Sequence, residues 1–295
     1  MTTTTTTART DSGSGEAAAG YRPGRALSLR VEALRQLRRR RTLVALGLVV
    51  ALPLVLLVAF AVGGTPTDDD GGSPALVTVA TASGPNFAAF VLFASIGFLL
   101  PVVVALFCGD TVASEAGWSS LRYLLAAPVP RARLLWSKLV VALGYSALAV
   151  VLLLGVSLAA GTAVHGWGEV TLPGGGTMPA TEVLGRMALV AAYAYGSLLT
   201  VAALAFWLST VTDAPLGAVG GAVGLSIVSA ILDAVTALGA ARDFLPTHGQ
   251  YAWLDALRPR VEWAAMAQGL SLSCAYAVVL VALAFRTFDR KDIVS

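Results

Sequence analysis

The sequence predicts an all-α integral membrane protein with six transmembrane helices, and three observations carry that prediction. Of the 295 residues, 57% are hydrophobic and 13% are charged, whereas soluble domains carry about 25% charged residues. Six apolar stretches are each long enough to cross a bilayer, which takes about 20 residues of helix. The arginines and lysines are concentrated on one side of the resulting topology.

The residues before the first apolar stretch divide into two parts. Residues 1–25 are rich in threonine, serine, glycine and alanine, which predicts a disordered cytoplasmic tail. Residues 26–41 carry apolar side chains at helical spacing among arginines, namely Leu27, Val31, Leu34 and Leu37. This second part is interpreted either as an amphipathic elbow helix on the anionic inner leaflet or as a plain positive anchor for the first span.

The transmembrane domain is predicted over residues 42–285, and residues 286–295 form a short C-terminal tail. None of the spans has a lysine or arginine in its middle, where each would cost about 2.5–3.5 kcal/mol. The predicted spans are residues 42–62, 87–107, 139–160, 183–208, 216–238 and 263–285.

The distribution of positive charge sets the orientation. With both termini in the cytoplasm of a plasma-membrane protein, sixteen of the 20 lysines and arginines lie inside and four lie outside. The four outer residues are Arg186, Arg242, Arg258 and Arg260. The outer loops are short, and the apolar loop 239–262 could either re-enter the outer leaflet or lie on it.

The sequence excludes several classes of enzyme. It contains no His-Glu-x-x-His motif, no Gly-x-Ser-x-Gly nucleophile elbow and no Walker A motif. Both histidines fall in predicted outer loops, so neither completes a catalytic or metal site inside the membrane. We therefore expect no catalytic residue, no metal and no cofactor on this chain. If ATP drives the protein, a different chain hydrolyses it.

Two features of the fifth span have alternative interpretations. Asp233 is an acidic residue near the outer end of that span, and it is either part of an ion pathway or a structural group that reaches interfacial water or a neighbouring helix. Two overlapping faces of small residues also run along this span, and they favour either packing within one subunit or a dimer seam. These faces consist of Gly217, Gly220, Gly221 and Gly224.

The segment between the second and third spans is polar, basic and longer than a hairpin requires. From Trp118 onward, apolar residues at helical spacing predict a short helix with one apolar face, and Pro128 and Pro130 end it. A helix of this kind fits a groove in a soluble partner, although an ordinary loop that follows the positive-inside rule is also possible.

The order of residues in this segment resembles the signature of the ABC-2 transporter permease family, the membrane subunits of ABC exporters. The resemblance rests on Asp110-x-x-x-x-Glu115-x-Gly117, followed by the run 121–129 that ends in Ala-Ala-Pro-Val, and then Arg131 and Lys138. It implies a half-transporter that pairs with a second copy or a sibling permease, and whose cytoplasmic coupling helix at about 115–127 docks on a separate ATPase subunit.

The resemblance also implies which residues matter and what the chain associates with. The ATP and magnesium would be held by the partner ATPase, the other contacts would be with membrane lipids, and nucleic acid is not expected. The apolar spans suit outward movement of a lipophilic or amphipathic small molecule. The residues predicted to couple the chain to the ATPase are Asp110, Glu115, Gly117, Leu121, Arg122, Leu125, Pro128, Arg131 and Lys138.

Two other classes of function remain open from the sequence. A secondary carrier or channel would work without ATP and would depend on Asp233. A membrane scaffold would use the polar segment only to recruit a soluble partner.

Overall fold

A computed structural model describes residues 29–63, 74–117, 131–171 and 177–290. Helices account for 86% of these residues, and a two-stranded hairpin pairs β1 (Val170–Thr171) with β2 (Thr177–Met178). The helices are α1 Leu29–Leu37, α2 Arg40–Gly63, α3 Pro74–Thr81, α4 Gly84–Ile96, α5 Leu99–Gly117, α6 Arg131–His165, α7 Ala180–Ser197, α8 Leu199–Val211, α9 Pro215–Ala234 and α10 Trp263–Arg290. Two 3-10 helices, Thr236–Phe244 and Ala252–Leu257, connect α9 to α10.

In the described residues, five helices are long and apolar enough to cross a membrane, and the number becomes six if the bent pair α4 and α5 counts as one span. The predicted fourth span corresponds to α7 and α8, which together form one candidate span of 32 residues. The helices also extend beyond the predicted ends. In particular, α5 continues ten residues past position 107, and α6 begins eight residues before position 139.

The helices α5, α6 and α8 form the centre of the bundle. Helix α5 packs against α6, α8 and α9, and α6 also packs against α2 and α4. Apart from Lys138, the largest buried side chains in this centre are aromatic and branched aliphatic, including Phe107, Leu153 and Phe206. By contrast, α2 and α9 leave most of their apolar surface exposed, as expected for helices that face lipid.

The predicted second span is broken in its middle. Helix α4 ends at Ile96, α5 begins at Leu99, and the two are bent by 59°. Gln250, which lies between the two 3-10 helices, donates its side-chain amide to the Ile96 carbonyl at 2.5 Å. The loop predicted at 239–262 therefore reaches the break and satisfies a carbonyl that a break in a membrane helix would otherwise leave unpaired.

Helix α1 is amphipathic, but it buries its polar side chains and exposes its apolar ones, the opposite of a helix in a soluble protein. Its buried side chains are Glu32 and Gln36, which face α5 and α6. Its apolar side chains, including Val31 and Leu34, are exposed. The burial of polar groups against the bundle is possible because each of them has a partner there.

Candidate functional site

Four helices, α1, α2, α5 and α6, and the turn between α1 and α2 bring charged side chains together at one end of the bundle. The start of α6 and the end of α5 flank residues 118–130, and side chains of α1 contact both of them. Each helix contributes charge at a position where its neighbours supply the opposite charge. We call these seven side chains the ion-pair network; they are Glu32, Arg35, Arg39, Arg41, Asp110, Glu115 and Lys138.

Lys138 is the centre of the buried half of the network. Its side chain is 1% exposed, and its Nζ lies 2.6 Å from Glu115 Oε1 and 3.0 Å from Glu32 Oε1. Arg35 joins the same two carboxylates from the solvent side, with Nη1 3.1 Å from Glu115 and 3.7 Å from Glu32. One ammonium group therefore ties α6 to both α5 and α1.

Asp110 is the centre of the second half, one turn and a half earlier on α5. Arg39 Nη1 donates to Asp110 Oδ2 at 2.9 Å and Arg41 Nη1 donates to Oδ1 at 2.8 Å. Arg39 also donates to the Ser114 hydroxyl at 2.9 Å and approaches Glu115 to 3.8 Å. Arg39 therefore joins the two halves of the network.

The network is held by burial as well as by charge. Glu115 and Glu32 have side-chain exposures of 6% and 8%, so removing a cation from either would leave a carboxylate in a site with little water. Breaking a buried pair by removing one partner typically costs about 3–5 kcal/mol. Neutral hydrogen bonds reinforce the same contact, since Gln36 donates to the Phe107 carbonyl and the Tyr145 hydroxyl donates to the Ala33 carbonyl.

A cavity of about 550 Å³ lies beside the Asp110 half of the network. In the part of the chain that the structure describes, its lining combines four arginines, two carboxylates, one serine and the first residue of α9. These residues are Arg35, Arg39, Arg40, Arg41, Asp110, Ser114, Glu115 and Pro215. The volume falls within the ~300–1,000 Å³ of small-ligand pockets.

The structure brings together three of the predicted coupling residues, Asp110, Glu115 and Lys138. Gly117 ends α5 and Arg131 begins α6, so both lie at the edges of the segment that the resemblance singled out. The remaining predicted residues, Leu121, Arg122, Leu125 and Pro128, lie outside the described residues, as does the predicted short helix. Their role in coupling stays a prediction.

The sequence analysis did not predict the contribution of α1, the following turn and the start of α2 to this site. It treats Glu32, Arg35, Arg39 and Arg41 only as part of a basic elbow, although Glu32 is an isolated acid in a run of arginines. An isolated acid among residues of opposite charge indicates an ion pair, but the sequence does not show that Glu32 pairs with Lys138 of α6.

The four glycines of α9 divide between two environments. A Cβ on Gly221 would lie 3.0 Å from Leu208 of α8, and one on Gly217 would lie 3.6 Å from the Thr212 hydroxyl. Gly220 and Gly224 have no atom within 4 Å of a Cβ among the residues described. Packing within the subunit therefore uses one face, and a dimer seam along the other face stays a prediction.

Asp233 has partners at the far end of the bundle. Its Oδ1 lies 2.6 Å from His248 Nδ1 and 3.6 Å from Arg242 Nε, and His248 Nε2 lies 3.3 Å from Asp243. These contacts join the end of α9 to the 3-10 segment that follows it. They favour the structural interpretation of Asp233 over an ion pathway.

Comparison with known families gives a match over most of the chain. Residues 29–229, about two thirds of the chain, match the family described as ABC-2 family transporter protein. The chain belongs to the ABC-2 transporter family. The matched region begins at the first residue of α1 and includes every member of the ion-pair network. No curated protein matched the chain.

Membership of the ABC-2 family fixes the general role of the chain. Proteins of this family are multi-pass membrane components of transporters rather than enzymes, and they generally pair with an ATPase subunit. The resemblance found in the segment from Asp110 to Lys138 is therefore confirmed at the level of the family.

Proposed function

We propose that this ABC-2 protein is the permease subunit of an ATP-driven exporter in the plasma membrane, with both termini in the cytoplasm. A separate ATPase chain binds the ATP and magnesium and docks on the segment 118–130. Two permease copies, or this chain and a sibling, form the complete transporter. The cargo is a lipophilic or amphipathic small molecule that moves outward.

The observation that carries the proposal is the Glu115–Lys138 contact at 2.6 Å. It joins the last turn of α5 to the first turns of α6, so it closes the base of the segment that the ATPase would push. A displacement of that segment is then applied to two spans together instead of being absorbed by a flexible linker. The links from Glu115 and Lys138 to Glu32 and Arg35 extend the same coupling to α1.

An apolar cavity supports the assignment of cargo. It has a volume of about 540 Å³ and lies between α6 and α7, and most of its lining consists of alanine, valine, leucine and methionine side chains. Its polar group is the hydroxyl of Tyr195, which donates to the Leu143 carbonyl at 3.4 Å and can accept a hydrogen bond. Pockets for small ligands are mostly apolar with a few polar groups. A bulky substitution in its wall, Gly155→Leu, should lower ATP-dependent flux of a lipophilic dye without releasing the ATPase.

The docking proposal is tested by affinity purification of the tagged chain from its native membrane under mild extraction. Arg122→Ala removes a predicted contact on the cytoplasmic segment. Arg260→Ala removes the same side chain from an exposed loop on the predicted outer side and serves as the matched control. Glu115 is avoided here because its substitution would break the ion-pair network as well as any docking contact.

We expect an ATPase to accompany the wild-type chain and the Arg260→Ala variant and to be lost from Arg122→Ala. The absence of any ATPase from the wild-type preparation would contradict the proposal, and so would loss caused by Arg260→Ala alone. In that event an ATP-independent carrier becomes the better hypothesis, and Asp233→Asn becomes the next variant. A carrier requires that this variant abolish transport while the protein remains folded.

A further inference from the structure

The cavity beside Asp110 carries more positive charge than the network needs. Among the described residues, four arginines and two carboxylates line it, which is an excess of two positive charges over these residues. Arg39 and Arg41 are paired with Asp110, and Arg35 is paired with Glu115. Within the described residues, no carboxylate lies within ion-pair distance of Arg40, which is exposed at the first position of α2.

We propose that this cavity binds the phosphodiester headgroup of an anionic phospholipid, with Arg40 and Arg41 as its principal ligands. Arginine forms paired, charge-assisted hydrogen bonds with phosphate oxygens, which makes an arginine-lined cavity suited to this group. Arg41 is 61% exposed although it is paired, so its remaining N–H donors are accessible to a ligand.

The position of the cavity favours a lipid over a soluble anion. Arg40 is the first residue of α2, the first candidate span, and Leu43 and Val44, which follow it, are 53% and 70% exposed. Leu34 and Leu37 of α1, which precede the turn into α2, are also exposed. A phosphate held in the cavity would therefore have surfaces beside it for acyl chains. Basic pockets of this kind on the cytoplasmic side of membrane proteins bind anionic headgroups, and the choice of leaflet rests on the proposed orientation.

The ligand would bind where α1, α2 and α5 meet, without displacing a contact of the network. It would add negative charge next to Arg39 and Arg41, which hold Asp110. Occupancy is therefore expected to stabilise the folded protein in proportion to ligand concentration, as any ligand specific for the native state does.

The test measures binding of phosphatidylglycerol and phosphatidylcholine to the detergent-solubilised full chain by native mass spectrometry, with thermal unfolding as a second readout. Arg40→Gln removes the proposed ligand, and Arg38→Gln is the matched control. Arg38 is also exposed and lies two residues away, but it does not line the cavity. Arg41→Gln is a second variant, in which Asp110 keeps Arg39 as a partner.

We expect the wild-type chain to prefer phosphatidylglycerol and Arg40→Gln to weaken that binding by about tenfold, as the loss of one charge-assisted hydrogen bond predicts. Arg38→Gln should change it by less than about twofold. Equal weakening by Arg38→Gln and Arg40→Gln would overturn the proposal, because it would indicate general surface charge. Equal binding of phosphatidylcholine would also overturn it. Displacement of the lipid by inorganic phosphate would assign the cavity to a soluble anion and refute the lipid site. None of these results depends on an ATPase or on transport.

Discussion

Substitution of Lys138 by methionine tests whether burial, rather than the number of ion pairs, determines what the network contributes to stability. Lys138 and Arg35 contact the same two carboxylates, Glu115 and Glu32. They differ in environment, because the Lys138 side chain is 1% exposed and that of Arg35 is 48% exposed. Methionine has a similar length and volume, so it should leave little empty space at a buried position.

The expected magnitudes follow from that difference. Removing one partner of a buried pair costs about 3–5 kcal/mol, and the lower end applies to Lys138→Met because Arg35 remains beside both carboxylates. An exposed pair contributes about 0–1 kcal/mol, so Arg35→Met should cost less than about 1 kcal/mol. The ratio of folded to unfolded protein should therefore fall on the order of a hundredfold in Lys138→Met and by less than about fivefold in Arg35→Met.

The assay is equilibrium unfolding in mixed detergent micelles, with helicity and tryptophan fluorescence followed as the denaturing detergent is increased. A double variant, Lys138→Met with Glu115→Gln, should lose less stability than the two single variants combined, because the second change removes a charge that the first leaves poorly paired. The reasoning is refuted if Arg35→Met is as destabilising as Lys138→Met. A Lys138→Met variant that unfolds like the wild-type chain would refute it equally.

Four further substitutions test the packing of the bundle by the same unfolding assay. Gly84→Ala should lower the free energy of unfolding by about 1–3 kcal/mol, because the new Cβ would lie 2.6 Å from a backbone nitrogen of α6. Gly155→Ala is the matched control, because no described atom lies within 4 Å of its Cβ; it should leave the free energy of unfolding unchanged or raise it by up to about 1 kcal/mol. Gln250→Leu should cost about 1–3 kcal/mol because the Ile96 carbonyl at the break would lose its donor, and no loss would show that the break needs no cap. Ser209→Ala should lower the free energy of unfolding by about 1–3 kcal/mol, since the buried hydroxyl accepts hydrogen bonds from two α5 amides at 3.0 Å. A clearly larger loss than that of Gln250→Leu would contradict the assumption that the two buried hydrogen-bonding sites contribute equally to stability.

The apolar stretches were predictable because a membrane span depends on hydropathy summed over about 20 residues, a property of one segment alone. Hydropathy does not show the break at Gly97–Phe98, because this stretch is as apolar as its neighbours. The local signal is Pro101, which has no amide hydrogen to donate to the Gly97 carbonyl four residues earlier. The partner of the break, Gln250, lies more than 150 positions later in the chain, so this segment alone does not predict it. Contacts between distant segments leave no periodic signal in either segment.

The residues of the candidate site also divide into those that the sequence predicts and those that only the structure shows. Asp110, Glu115 and Lys138 were singled out because charged residues beside apolar spans stand out and resemble a family signature. The residues on α1 were hidden by the arginines around them, because an excess of positive charge before a first span already has a sufficient explanation in membrane orientation. Only the packing of α1 across α5 and α6 distinguishes Arg39, which pairs with Asp110, from Arg38, which does not.

The geometry of α6 shows how a push on the segment 118–130 could reach the far side of the membrane. Helix α6 has 35 residues without a break and is therefore about 52 Å long, against a hydrocarbon core of about 30 Å. Lys138 lies in its second turn, so the network holds α6 outside the span proper. Separating Lys138 from Glu115 would strand charge in a buried site, so we expect the bound ends of α1, α5 and α6 to move as one unit. The first weak point above them on the α5 side is the bend at Gly97–Phe98. A displacement at the network should then tilt α6 as a rigid helix and change the angle between α4 and α5. A change in the distance from Gln250 to the Ile96 carbonyl would accompany that change in angle.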